Sequence, residues 1–259
     1  VYACGVVGQD TTGAMLIDEL RERGINAEGI IVDSERPTIK KTRIIAHHQQ
    51  VVRVDSEADI PIKRRLLDKL TNFIEEKIKD IDAVIIEDYG KGLIQPHLIK
   101  RIVSMGKKYK KIIAVDPKEE HFSYYKGVTV VTPNQHEAEI AASIKIKDEP
   151  SVQKAAKRLM DKLKCKAVLI TLGEKGMALL EEGGKFNRVP TVAREVFDVS
   201  GAGDTAIATL TLAKVAGATM QEAAYISNAA AGIVVGKLGV AVVDPDELKK
   251  AIKFLQKNK

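Results

Sequence analysis

The stretch Asp198-Val-Ser-Gly201-Ala-Gly203-Asp204-Thr205 sets two glycines and a carboxylate directly ahead of an alanine-rich apolar run. Closely spaced glycines at a helix start expose backbone N–H groups, and the first amides of a helix have no intrahelical partner. The helix dipole is positive there, so an anion binds and a carboxylate is at ease. Asp204 in that turn can take a proton from a hydroxyl while the amides of Gly201, Ala202 and Gly203 hold a phosphate. An anion cradle beside a base is what phosphoryl transfer to an alcohol needs. Two simpler readings stand beside this one. A Gly-rich turn before a helix is often only a turn. Gly201-Ala-Gly203-Asp-Thr-Ala206 also fits the dinucleotide pattern G-x-G-x-x-G/A, but the acidic residue at the right spacing, Glu222, falls in a helical stretch over 220–235 instead of at a strand end.

Two further segments follow predicted strands. In Thr132-Pro133-Asn134-Gln-His-Glu137, Asn134 and Glu137 have the spacing of a helix capping box. The same amide and carboxylate, at a strand's carboxyl end, can hold the waters of a phosphate-bound Mg2+. Thr171-Leu-Gly173-Glu-Lys-Gly176 reads either as a plain turn or as a loop packed on a nucleotide. His47 and His48 are adjacent, a poor spacing for one metal, and no H-E-x-x-H or G-x-S-x-G is present. Gly232-x-x-x-Gly236-Lys237-Leu238 lacks the spacing and the Ser/Thr of a P-loop.

The elements that must position these residues alternate. Residues 83–87, 112–115, 128–132 and 167–171 are apolar runs that predict buried parallel strands. Amphipathic stretches over 62–78, 95–109 and 151–163 lie between them, and 244–247 opens a last helix with an N-cap and a proline. This β-α-β order predicts an α/β fold with a mostly parallel sheet and helices on both faces. Residues 38–46 and 51–54 predict a strand pair with a polar connection at 47–50, rich in Lys40, Lys41, Arg43, His47, His48 and Arg53. It is a small β-appendage, or a solvated edge hairpin.

Hydrophobic content of 45% supports a sizeable core, and 29% charged residues without a long like-charge block fit a soluble globule. The +6 charge is spread over predicted helix faces and aromatics are only 4%, which argues against nucleic-acid binding. No apolar run is long enough for a membrane span. Cys4 and Cys165 are far apart and form no C-x-x-C, as expected in a reducing cytoplasm.

Taken together, the motifs resemble the ribokinase-like carbohydrate kinases over nearly the whole chain. Gly5-Val-Val-Gly8-Gln-Asp10-x-x-Gly13 is similar to the family's early segment, Asn134-x-x-Glu137 to its Mg2+ motif, and Thr171-Leu-Gly173-x-x-Gly176 to its nucleotide loop. Asp198-Val-Ser-Gly201-Ala-Gly203-Asp204 resembles its signature, with Val-Ser where Thr stands. Within that family, Arg36-Pro-Thr38, 41–50, 53–55, Asp88-Tyr-Gly-Lys91-Gly92, Val115-Asp116-Pro-Lys118 and 228–237 resemble the bacterial D-glycero-β-D-manno-heptose 7-phosphate kinases. Those stand alone or form half of a bifunctional ADP-heptose synthase.

The resemblance implies ATP-dependent phosphorylation of the anomeric hydroxyl of a heptose 7-phosphate, in the supply of a lipopolysaccharide core precursor. It implies Asp204 as base, Gly201, Ala202 and Gly203 as anion cradle, and Mg2+ at Glu137 and Asn134 through water. Thr171, Gly173, Gly176 and Asn228 would line the ATP site, and Asp198 would hold a monovalent cation such as K+, as in some relatives. Lys41, Arg43, Arg53, Asp88 and Lys91 would bind the sugar phosphate. Residues 37–55 would form a β lid that covers the sugar and pairs subunits into a homodimer, with a nucleotidyltransferase fused or separate. The kinase domain spans 1–259, and its Gly-Gly sugar segment and some lid strands are expected ahead of Val1, leaving the domain incomplete at its N-terminus. Another sugar or nucleoside kinase of the family, or a non-catalytic nucleotide-binding subunit, are the competing readings.

Overall fold

The computed structural model describes residues 1–46, 49–58, 60–191 and 197–257; His47 and His48 lie outside the described residues. The chain forms two compact units, Val1–Asp80 with Gly90–Ile102, and Ile81–Tyr89 with Val103–Lys259.

In the first unit, β1 (Tyr2–Gly8) and β2 (Asn26–Asp33) pair in parallel, with α1 (Thr11–Glu22) between them in sequence. Asp10 caps α1 by accepting from the Gly13 amide at 2.8 Å. The same carboxylate accepts from the amide and the hydroxyl of Thr38, both at 2.7 Å. Thus the early Gly8-x-Asp10-x-x-Gly13 segment fastens Arg36-Pro-Thr38. Buried Arg36 donates to the carbonyls of Ala58 at 3.0 Å and Lys91 at 3.2 Å, tying the Lys91-Gly92 turn to the same unit. Helix α2 (Arg64–Lys77) buries Leu66, Leu67, Leu70 and Thr71, the spacing of one helical stripe.

The appendage is an antiparallel ribbon of β3 (Lys40–Ala46) and β4 (Gln49–Ser56). Its connection is shorter than the sequence suggests. Gln49 pairs with Ala46 and Gln50 with Ile45, so both glutamines belong to the strand. Arg43 stands opposite Arg53, and Lys41 opposite Asp55. The period of two puts these four on one face, with Lys40, Thr42, Ile44, Val52 and Val54 on the other.

The second unit is built on a sheet of order β10-β9-β8-β7-β6-β5. Its elements are β5 (Ala83–Glu87), α3 (Pro96–Lys108, in this unit from Val103), β6 (Ile112–Asp116), β7 (Val130–Val131), α4 (Gln135–Ala142), α5 (Glu149–Leu163), β8 (Ala167–Thr171), β9 (Met177–Glu181), β10 (Phe186–Val189), α6 (Ala202–Val215), α7 (Met220–Val234) and α8 (Pro245–Lys257). The runs β5 to β8 pair in parallel, as their unbroken apolar character predicts, and β9 and β10 add antiparallel. β7 is shorter than the run over 128–132, although Thr129 and Thr132 still donate to β6 at 2.8 and 2.9 Å. Ala167, Leu169, Met177 and Leu179 face a core formed with Ala206, Ile207, Leu210, Ala223 and Ala224 of α6 and α7. The alternate residues Val168, Ile170, Ala178 and Leu180 are equally buried. They point the other way, and α5 packs on β8 and β9, so helices cover both faces.

Candidate active site

The parallel strands deliver the site. Glu87 and Asp116 are the last residues of β5 and β6 and are register partners, so their carboxylates end side by side. Asn134 follows β7 and bridges to Thr171, the last residue of β8. All four therefore stand at strand carboxyl ends, where open α/β sheets take their ligands. Helix α6 packs on β5 and β6 and brings in Asp204. Carboxylate oxygens of Glu87, Asp116 and Asp204 lie within 4.8 Å of one another. The Cβ that Gly203 lacks would sit 3.6 Å from Asp116 Oδ2.

The start of α6 is not closed by a side chain. Gly201 is the N-cap, at φ +78°, a left-handed conformation that only glycine adopts without strain. The cradle differs from the expected trio in one amide. Ala202 donates to the Val199 carbonyl at 3.2 Å, because the chain curls back on itself as it enters the helix. Among the described residues, the amides of Gly201, Gly203 and Asp204 meet no acceptor. Asp198 makes the preceding turn by accepting from the Ser200 amide at 2.9 Å. Exposed Asp204 receives the hydroxyl of Tyr89 at 2.9 Å.

The carboxylates are under electrostatic load. Burial, then the charges of Asp116 and Asp204, push Glu87 up to about 8. Burial, then the charge of Glu137, pushes Asp116 up to about 7, against the Thr132 hydroxyl that bonds it at 3.1 Å. Burial also raises Glu137, more than the Asn134 amide lowers it. A cation or a proton at this floor relieves the repulsion.

Other expected residues fall as follows. Asn134 and Glu137 form the capping box, with Asn134 Oδ1 and Glu137 Oε2 each accepting a backbone amide at 2.9 Å. The loop after β8 is a tight turn closed by Leu172 on the Gly176 carbonyl at 2.8 Å, and Gly173 leaves it open above. A Cβ on Gly176 would meet the Val189 carbonyl at 2.1 Å. Asn228 is buried and donates to the Pro190 carbonyl at 2.7 Å, so it braces the segment behind that turn instead of presenting its amide to solvent.

The Asp88 side chain is only 1% exposed, held by the Tyr125 hydroxyl and by His121 Nδ1 at 2.6 Å. These bonds brace the loop after β5. Lys91 pairs with Glu57 at 2.6 Å and Arg53 with Asp55 at 3.0 Å, both within the first unit. Lys41 and Arg43 are exposed on the ribbon. Glu222 caps its own helix through Thr219, which removes the dinucleotide reading of the glycine turn. Glu87 and Tyr89 were not among the expected site residues. The signal was present: two buried runs, 83–87 and 112–116, each end on a carboxylate.

A profile of the pfkB family carbohydrate kinases matches residues 1–247, and the chain belongs to that family. Membership supports a carbohydrate kinase. It is 42% identical over 248 residues to the bifunctional protein HldE of Citrifermentans bemidjiense, covering 96% of this chain and 51% of that protein. The HldE of Helicobacter pylori strain J99 is 43% identical, with 96% and 53% covered. The chain thus spans about half the length of the curated relatives it matches. Among solved structures, it is similar to the ribokinase of Thermotoga maritima (TM-score 0.75, 25% identity, 97% of this chain and 81% of that one). Arabidopsis thaliana ribokinase complexed with ribose and ATP shares the fold at TM-score 0.79 and 21% identity, over 98% and 82% of the two chains. Escherichia coli phosphofructokinase-2 in complex with potassium does so at 0.82 and 18%, also over 98% and 82%. Among the described residues, no helix is long and apolar enough to cross a membrane.

Proposed function

We propose that the chain transfers the γ-phosphoryl group of ATP to the anomeric hydroxyl of D-glycero-D-manno-heptose 7-phosphate. The observation that carries the reaction type is the uncapped start of α6, with Asp204 in its first turn. The sugar is drawn from the motif resemblance in residues 36–55, 88–92 and 115–118, and the HldE relatives support it.

Asp204 accepts the proton of the anomeric O–H as the O–P bond forms and the bond to the ADP oxygen breaks. The amides of Gly201 and Gly203, with that of Asp204 itself, hold the charge on the transferred group. Thr171, Gly173 and Gly176 line the nucleotide site, and Asn228 supports it from behind. Glu87 and Asp116, whose carboxylate oxygens lie within 4.8 Å of that of Asp204, form a hard-oxygen environment that suits Mg2+. Glu137 and Asn134 would hold the ion through water, and bound Mg2+ supplies neutralisation of the nucleotide phosphates. Asp198 would take a monovalent cation, K+, beside the cradle. Lys41 and Arg43 would read the 7-phosphate, with Arg53 and Lys91 adding charge from their pairs. In the whole protein we place a nucleotidyltransferase alongside this kinase, the ribbon over 37–55 as lid and dimer contact, and the cytoplasm as its setting.

The test is a kinase assay of the full-length protein with ATP and Mg2+ against a panel of sugar 7-phosphates, unphosphorylated heptoses, ribose and fructose 6-phosphate. Selective ADP release with the heptose 7-phosphate is expected. Preference for an unphosphorylated sugar overturns the substrate assignment, and ATP binding without turnover on any sugar overturns the reaction.

A further inference from the structure

The hydroxyl of Tyr89 reaches Asp204 Oδ1 at 2.9 Å across 115 positions of sequence. Tyr89 follows β5 directly, two residues past Glu87 and next to Asp88, whose buried bonds to Tyr125 and His121 hold that stretch of backbone. Tyr89 is 58% exposed, so core packing does not account for it. Among the described residues its hydroxyl bonds the carboxylate in the first turn of α6.

We propose that Tyr89 is a positioning residue for Asp204: its O–H donates to Oδ1 and so leaves Oδ2 as the oxygen that meets the acceptor hydroxyl. The inference rests on the reading of Asp204 as the base. A carboxylate at a helix start turns easily about its Cα–Cβ and Cβ–Cγ bonds, and Glu87 and Asp116 crowd it with like charge. One fixed hydrogen bond selects one orientation.

The experiment compares Tyr89→Phe, Asp204→Asn and the double variant in the full-length protein, with ATP, Mg2+ and the heptose 7-phosphate. Loss of orientation acts on the chemical step while the base itself is kept, so Tyr89→Phe should lower kcat by about tenfold, less than the roughly 100-fold or more that a general base contributes. KM for sugar and ATP, and the melting temperature, should stay within error. In the Asp204→Asn background the same change should have little further effect, since residues that act as one unit are non-additive. An unchanged kcat in Tyr89→Phe, a loss confined to KM, or full additivity overturns the proposal. Near-normal kcat in Asp204→Asn instead overturns the base assignment itself, which separates the two failures.

Discussion

Helices α4 and α6 both begin near the carboxyl ends of the parallel strands, and they begin in opposite ways. At α4, Asn134 and Glu137 satisfy each other's backbone amides, a closed box built from two side chains. At α6, Gly201 offers no side chain, and amides are left facing outward. An orphan helix amide must find a partner in the protein, in water or in a ligand. The chain closes α4, and also α5 and α7, with capping boxes. It keeps α6 open where Asp204, Asp116 and Glu87 meet. The first arrangement stabilises a helix; the second leaves its anion-binding capacity for something else.

The largest expected effect is at the open start. Asp204→Asn should cut kcat by roughly 100- to 10,000-fold, the range a general base contributes, while ATP affinity by titration calorimetry stays near normal. A near-normal kcat would erase the contrast between the two helix starts.

Gly201→Ala should come next. Holding alanine at φ +78° costs about 1–2 kcal/mol, so the melting temperature falls. Displacing a reacting group by about 1 Å costs as much as 100-fold, so kcat should drop by roughly ten- to hundredfold. If stability falls and kcat holds, the turn is only a turn.

Glu137→Gln sharpens the other side. Glutamine retains an oxygen for the Asn134 amide, and losing a cap entirely costs only about 1 kcal/mol. Thermal stability should therefore move little, while the Mg2+ concentration for half-maximal activity rises. An unmoved Mg2+ curve with lowered stability makes α4 a capped helix and nothing more.

The smallest effect concerns the floor between them. Glu87 is raised from 4.5 to about 8, so its favourable share of stability is complete below about pH 4.5 and disappears as pH climbs through about 8. Glu87→Gln removes that ionisation. In urea titrations the variant should gain on the native protein between pH 5 and pH 9, and parallel curves would show that the fold leaves the Glu87 pKa unshifted.

Much of this was legible before any fold was drawn. The mainly apolar runs at 83–87, 112–115 and 167–171 form parallel strands. The spacing of Asn134 and Glu137 specifies a capping box, and it formed. The glycine pair before the alanine run specifies a helix entry at Gly201. The hairpin connection is shorter than the polar run over 47–50, because cross-strand pairing with Ala46 and Ile45 draws Gln49 and Gln50 into the strand.

What the sequence determined alone is whatever depends on neighbours within a few residues: helical stripes, caps, turns, and the strand that ends on a carboxylate. Only tertiary structure decided which strand ends became neighbours. It set Glu87 beside Asp116, brought the Tyr89 hydroxyl to Asp204, and buried Asp88 against Tyr125 and His121. The physical reason is range. Backbone preferences act over one or two turns of chain, whereas desolvation and charge–charge coupling depend on which segments the sheet order packs together.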